Sequence, residues 1–183
     1  MLKPRRDTLE APQEKPRYVI GDNVPWNTLW SAEQEISVKP CVFAGGASAT
    51  HQPDAQGQGR PLFKTQHHVR QRMCVRLLLC SVCGKHTPPG DCVFFPFRLG
   101  GDQRGAWLMT ESPVHKACAE HAQTACPFLK GNGLQPLTFP GESEYEIAPI
   151  WDEQRSGVVK FLAYKFTWEF VRSVIAPALT RRP

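Results

Sequence analysis

The sequence predicts an α+β domain, and three stretches carry that prediction. In "KFLAYKFTWEF" the even positions Leu162, Tyr164, Phe166, Trp168 and Phe170 are large and apolar, while Lys165, Thr167 and Glu169 face the other way; a period of two belongs to a strand. In "TESPVHKACAEHAQTACPF" Ser112 and Pro113 open a helix-forming run and Pro127 closes it. Between strand-like runs, "CSVCGKHTPPGDCVFFPF" packs cysteines around glycines and prolines, a turn-rich segment that asks for a chemical reason.

A chain of 183 residues can bury a core without covalent help. Residues 1–17 are polar and hold Pro4, Pro12 and Pro16, so they read as a flexible arm in front of one domain over 18–183. "RYVIGDNVPWNTLW" supplies Val19, Ile20, Trp26, Leu29 and Trp30 to a short buried segment, with turns at Gly21, Asp22 and Pro25. Val38 to Phe43 reads as a strand, and residues 44–61, rich in small and polar types, as a mobile loop. In "VRQRMCVRLLLC" the alternation of Val75, Leu77 and Leu79 predicts a strand running into Cys80.

"DCVFFPFRL" and "GAWLMT" flank "GGDQR", which predicts a β-hairpin. The helix is expected over 113–125. "EYEIAPIW" is the natural partner of "KFLAYKFTWEF" across "DEQRSG", and the tail begins as a short helix that ends at Pro177. There is no internal repeat.

No apolar run approaches the roughly 18 residues of a membrane span, and the N-terminus lacks the apolar stretch of a signal peptide, so the chain reads as cytoplasmic. In a reducing compartment closely spaced cysteines favour metal ligation or catalysis over stapling, and the count of seven is odd. Cys80 and Cys83 form C-x-x-C followed by Gly84, which allows a tight turn. His115 and Cys118, three positions apart at the start of the helix, project from one face. Four N/S donors suit tetrahedral Zn²⁺. Small buried thiols and a thioredoxin-like redox pair are the other readings, although Pro88 and Pro89 argue against the helix that the redox pair needs. His86, Cys92 and His121 lie close enough in sequence to replace a ligand. Cys126 is expected to pack with Ala119 and Ala122, and Cys41 and Cys74 to be core.

The order of knuckle, hairpin and helix with C-x-x-C … H-x-x-C resembles a treble-clef zinc finger over residues 74–126, packed against further antiparallel strands, with His115 where many members have cysteine. The stretch "PVHKACAEHAQTACPF" is also similar to short bacterial and phage proteins with such a site. The resemblance implies a zinc ion bound by Cys80, Cys83, His115 and Cys118.

With all four positions filled by protein, such a zinc is structural, so the expected function is that of a noncatalytic binding protein. A protein partner ranks first, supported by the five tryptophans, and a phage or mobile-element origin would make the chain an inhibitor of a host complex. Nucleic acid is the alternative, with Arg70, Arg72, Arg76, Lys85 and Lys116 as the contacting cations in a stretch free of acids from Arg60 to Lys85. The enzymatic alternative is an HNH-like metal nuclease, since "QHHVR" offers His67 and His68, but this pair precedes the knuckle rather than following it. No nucleophile elbow, H-E-x-x-H or phosphate-binding loop is present.

Overall fold

The computed structural model describes residues 17–96 and 107–180. In chain order its elements are β1 (Thr28–Trp30), β2 (Ser37–Pro40), β3 (Ser48–His51), β4 (Pro61–Gln66), α1 (His68–Leu77), β5 (Val93–Phe94), β6 (Leu108–Met109), α2 (Lys116–Ala125), α3 (Pro127–Asn132), β7 (Leu137–Thr138), β8 (Tyr145–Trp151) and β9 (Val159–Phe166). A helical run closes the chain: α4 (Trp168–Phe170), a π-helical turn (Val171–Ile175) and α5 (Ala176–Thr180). The described residues are thus mixed helix and sheet, in agreement with an α+β class.

The main sheet is organised by β9. Along one edge it pairs antiparallel with β8 over nearly its whole length, from Tyr145↔Phe166 to Trp151↔Val159, as the alternation and the "DEQRSG" turn predict. On its other edge β3 meets one end, at Ala49↔Val159, and β6 meets the opposite end, at Leu108↔Lys165 and Met109↔Tyr164. Beyond β3 lies β2. Among the described residues no strand occupies the gap between β3 and β6, and α1 fills it with side chains. Gln71 accepts from Leu162 N–H at 3.0 Å and donates to the carbonyls of Leu162 and Thr110 at 2.7 Å each. Arg72 donates to the carbonyls of Lys160 (2.6 Å) and Thr50 (2.5 Å). Buried backbone groups left without partners would cost about as much as lost hydrogen bonds, so these two side chains stand in for a strand.

The inward row Leu162, Tyr164 and Phe166 forms the main core with Phe94, Met109 and Phe139, capped by Phe170 and Ile175 from the terminal helical run. A second apolar cluster, with Val82, Val93, Val114, Ala119 and Leu129, surrounds the cysteines.

Several expectations need correction. The strand expected before Cys80 is helix α1: His67 caps it by accepting Arg70 N–H at 3.2 Å, and four of its six buried positions are polar, so apolar periodicity was a poor guide. Residues 44–61, expected as a mobile loop, contain β3. They are tied down further by Ala55 N–H to Glu33 (3.0 Å) and by Gln56 to the Trp26 carbonyl (2.7 Å).

The strands expected to form a hairpin across "GGDQR" pair elsewhere, β5 with β7 and β6 with β9, because longer-range partners complete their ladders; the turn itself lies outside the described residues. Val38–Phe43 is strand only to Pro40. The "KFLAYKFTWEF" strand stops at Phe166, where Thr167 caps α4, accepting Phe170 N–H at 3.3 Å and leaving Trp168 exposed. The terminal run continues past Pro177 to Thr180, its π turn widening the hydrogen-bond ladder just before a residue that cannot donate to it. The expected N-terminal arm falls almost entirely outside the described residues.

Candidate metal centre

The cysteine knuckle is built by a sharp redirection of the chain at the end of α1. Leu78 adopts φ 51°, ψ 46°, a left-handed conformation that costs a non-glycine residue about 1–2 kcal/mol. Its carbonyl is held by both the backbone N–H and the hydroxyl of Thr87, at 2.9 and 2.7 Å. The chain then doubles back: Leu79 bridges His86, Cys80 N–H donates to the Lys85 carbonyl at 2.7 Å, and Gly84 N–H donates to the Cys80 carbonyl at 2.8 Å. Gly84 is required twice over. Its φ is 75°, and a Cβ there would lie 2.7 Å from the Trp26 ring. The backbone of Trp26 binds the same turn, donating to the Val82 carbonyl at 2.9 Å.

The second half comes from α2, which starts at Lys116 rather than at 113, with His115 as its N-cap residue. The expected Ser112 cap is absent because the Ser112 hydroxyl donates to the Leu79 carbonyl, and Asp91 instead accepts Lys116 N–H at 2.8 Å. Val93 and Val114 exchange two backbone hydrogen bonds of 2.9 and 2.8 Å, which lock the start of α2 beside the knuckle.

Together these contacts bring the side chains of Cys80, Cys83, His115 and Cys118 into one cluster whose four ligand atoms all lie within 4.8 Å of one another. His115 Nδ1 is 3.5 Å from Cys83 Sγ and 3.8 Å from Cys118 Sγ. His115 Nε2 lies 2.9 Å from the His86 carbonyl, which can only accept. The proton therefore sits on Nε2 and the Nδ1 lone pair faces the thiols, the orientation that a second-shell partner gives a metal-ligating histidine.

Burial pushes the buried Cys80 thiol up, opposed by the N–H groups of Cys83, His115 and Val82 directed at its sulfur. Cys118 is pushed up to about 12, by burial first and then by Cys80 and Cys83. Thiolates packed this closely repel one another, and a dication bound between them offsets that repulsion. The donor set fits a metal ion.

The other proposed ligands lie apart from this cluster. Cys92 is buried against Thr87 at 3.5 Å and belongs to the main core, and His121 Nε2 donates to the Asp22 carbonyl at 2.6 Å. His86 contributes its carbonyl rather than its ring. Cys126 packs on the second cluster beside Ala122, Cys74 is fully buried, and Cys41 lies half-buried against the main core. The packing of Trp26 on the knuckle and the capping by Asp91 escaped sequence reasoning. An aspartate at position 91 is a good cap in type, but it lies 25 residues from the helix it caps, beyond any local pattern.

Of the five cations expected on a nucleic-acid surface, Arg76, Lys85 and Lys116 are exposed, Arg76 donating to the Phe43 carbonyl at 3.0 Å. Arg70 and Arg72 turn inward instead. Arg70 forms a two-pronged pair with the fully buried Glu33 (2.8 and 2.6 Å), and Arg72 serves the sheet gap. His67 and His68 sit at the start of α1, bonded to the Pro53 carbonyl and to Thr50, outside the thiol cluster. No helix among the described residues is long and apolar enough to cross a membrane.

No protein family, no curated protein and no solved structure matches the chain.

Proposed function

We propose that Cys80, Cys83, His115 and Cys118 hold a structural Zn²⁺ and that the chain is a noncatalytic, zinc-stabilised binding protein whose partner is a protein. The observation that carries the metal assignment is the four-donor cluster with His115 pre-oriented by the His86 carbonyl. Zinc bonds of about 2.3 Å to sulfur and 2.0–2.1 Å to nitrogen set at the tetrahedral angle put S and N about 3.5 Å apart. The His115 separations of 3.5 and 3.8 Å match that edge. Four protein donors leave no position for a reacting water, which supports a cross-link between the knuckle and α2 rather than a reaction centre. The sequence knuckle, Val93–Val114 bridge, helix supports a treble-clef arrangement in which the hairpin is reduced to one bridge.

Burial of Arg70 and Arg72 removes two of the five cations available to nucleic acid, while Trp168 and Trp151 are 65% and 54% exposed, which favours a protein partner.

Elemental analysis of the purified protein is expected to give one zinc per chain, lost in Cys83→Ser and His115→Ala but kept in Cys92→Ser and His121→Ala. Full zinc in Cys83→Ser would refute the ligand set. For the partner class, salt-dependent binding to nucleic acid that disappears in Lys85→Ser and Lys116→Ser would overturn the protein reading in favour of nucleic acid. No such binding is expected.

A further inference from the structure

Away from the cysteines, β4, the start of α1 and β9 enclose two adjoining cavities that share Thr65, His68 and Lys160. The smaller, of about 310 Å³, is walled by Lys64, Thr65, Gln66, His68, Thr110, Lys160 and Phe161, and no carboxylate reaches it. The larger holds two acids: Asp152, engaged by Arg155 at 3.5 Å and by Gln154 N–H at 2.9 Å, and the exposed Glu153.

His68 is 4% exposed and lines both cavities. Its Nδ1 lies 2.9 Å from the Thr50 hydroxyl. That hydroxyl's other acceptor, the Val159 carbonyl, is 3.5 Å away and too long to compete, so Thr50 donates to Nδ1 and the ring proton sits on Nε2. Nε2 has no hydrogen-bond partner among the described residues. The ring meets Phe161 edge-on at 4.9 Å, and Lys160 Nζ lies 5.5 Å from the same Phe161 ring, so donor, cation and aromatic wall are contiguous. His68 is also the first residue of α1, a helix of ten residues whose N-terminal dipole favours negative charge.

We propose that this cavity binds a phosphate group, either as free phosphate or as a small phosphomonoester, with Lys64 and Lys160 supplying charge, His68 Nε2–H and Thr65 supplying hydrogen bonds, and Phe161 flanking the organic part. No carboxylate lines the smaller cavity, where the two lysines and the unpartnered imidazole N–H meet; the acids of the neighbouring cavities, Asp152 and Glu153 beside Lys160 and Glu111 beside Lys64, lie outside it. Burial, followed by Lys160 and Arg72, pushes the His68 pKa down to about 4, so the ring is a neutral donor at physiological pH.

The test is an NMR titration of the full chain with inorganic phosphate, and separately with phenyl phosphate, against sodium chloride at matched ionic strength. Saturable shifts of the His68 imidazole are expected with phosphate but not with chloride. Lys64→Met and Lys160→Met should each weaken binding about tenfold, the scale of one charge-assisted hydrogen bond, whereas Lys85→Met, outside the cavity, should not. Tighter binding of phenyl phosphate identifies a phosphomonoester as the ligand, and equal or weaker binding identifies free phosphate. Absence of saturable shifts at His68 overturns the proposal. So does binding that survives unchanged in both cavity lysine variants.

Discussion

Two polar clusters lie inside this protein, and they solve the same problem in opposite ways. Around α1, Glu33, Arg70, Gln71 and Arg72 are all at most 4% exposed, yet Arg70 is paired with Glu33 and the terminal nitrogens of Arg72 are taken up by backbone carbonyls. Arg70 pairs with Glu33 and also donates to the Thr28 carbonyl at 2.9 Å, and Gln71 and Arg72 complete a sheet edge. In the thiol cluster three sulfurs and an imidazole converge within 4.8 Å of one another. The α1 cluster is held by hydrogen bonds and one ion pair within the chain. The cysteine cluster could hold a metal ion, and on the proposed reading its order should depend on solution conditions that leave α1 untouched.

The sharpest way to break this contrast is to remove the ion. Chelation should abolish hydrogen-exchange protection in the knuckle and α2 while the amides of α1 and β9 remain protected. Zinc-finger peptides draw about 10–16 kcal/mol from their metal, so the local effect should be the largest of those predicted here. Uniform loss of protection would show that the two clusters fold as one unit.

Next in size is Arg70→Met. It leaves Glu33 buried without its partner, and breaking a buried pair costs about 3–5 kcal/mol, measurable by urea unfolding. Glu33→Gln with Arg70→Met together should cost less than the sum of the two single changes. If the double change is additive, the pair does not couple and the α1 cluster is not held by it.

Gly84→Ala comes third. A left-handed φ costs a β-carbon about 1–2 kcal/mol, and the Trp26 ring must move as well. The variant should shift tryptophan fluorescence and speed metal loss to a chelator, whereas Gly90→Ala, with φ 86° but nothing within 4 Å of the added carbon, should show only the backbone part.

The last prediction concerns pH dependence, read at mildly acid pH where only part of the effect is expressed. His68 is held neutral down to about pH 4 in the folded state, by burial and then by Lys160 and Arg72, while in the unfolded chain it titrates near 6.5. Between these values the unfolded state binds the extra proton, so stability is fully present above about 6.5 and is lost as pH falls towards 4, with no further loss from this group below that. The His68 imidazole resonances should stay those of a neutral ring at pH 5.5. A ring already protonated there would show that water reaches it more freely than its burial allows.

Much of the site was legible in the chain itself. C-x-x-C with Gly84 and H-x-x-C before a Pro-terminated helix name the four converging residues, because spacing within a turn or a helix is fixed by local geometry. The β8–β9 pair was legible for the same reason, since alternation along a strand records which face is buried. The segment His68–Leu77 was not. Its inward face carries His68, Arg70, Gln71, Arg72, Cys74 and Val75, so hydrophobicity, the signal by which a helix face is read, points the wrong way. Residues 44–61 misled similarly: a stretch of small and polar residues became partly strand because Thr50 and Gln52 have partners elsewhere in the fold.

The sequence by itself determined the elements whose signals are local, namely the adjacent β8–β9 pair, the helix stop at Pro127 and the two halves of the thiol cluster. Tertiary structure decided which cations face solvent, which strands share an edge, and that His68 is buried at the start of α1. Those outcomes rest on hydrogen bonds such as Gln71 to Leu162 and Arg72 to Lys160, which join residues about ninety positions apart. No periodicity records such pairs, and the cost of burying an arginine is repaid only once its distant carbonyl partners are in place.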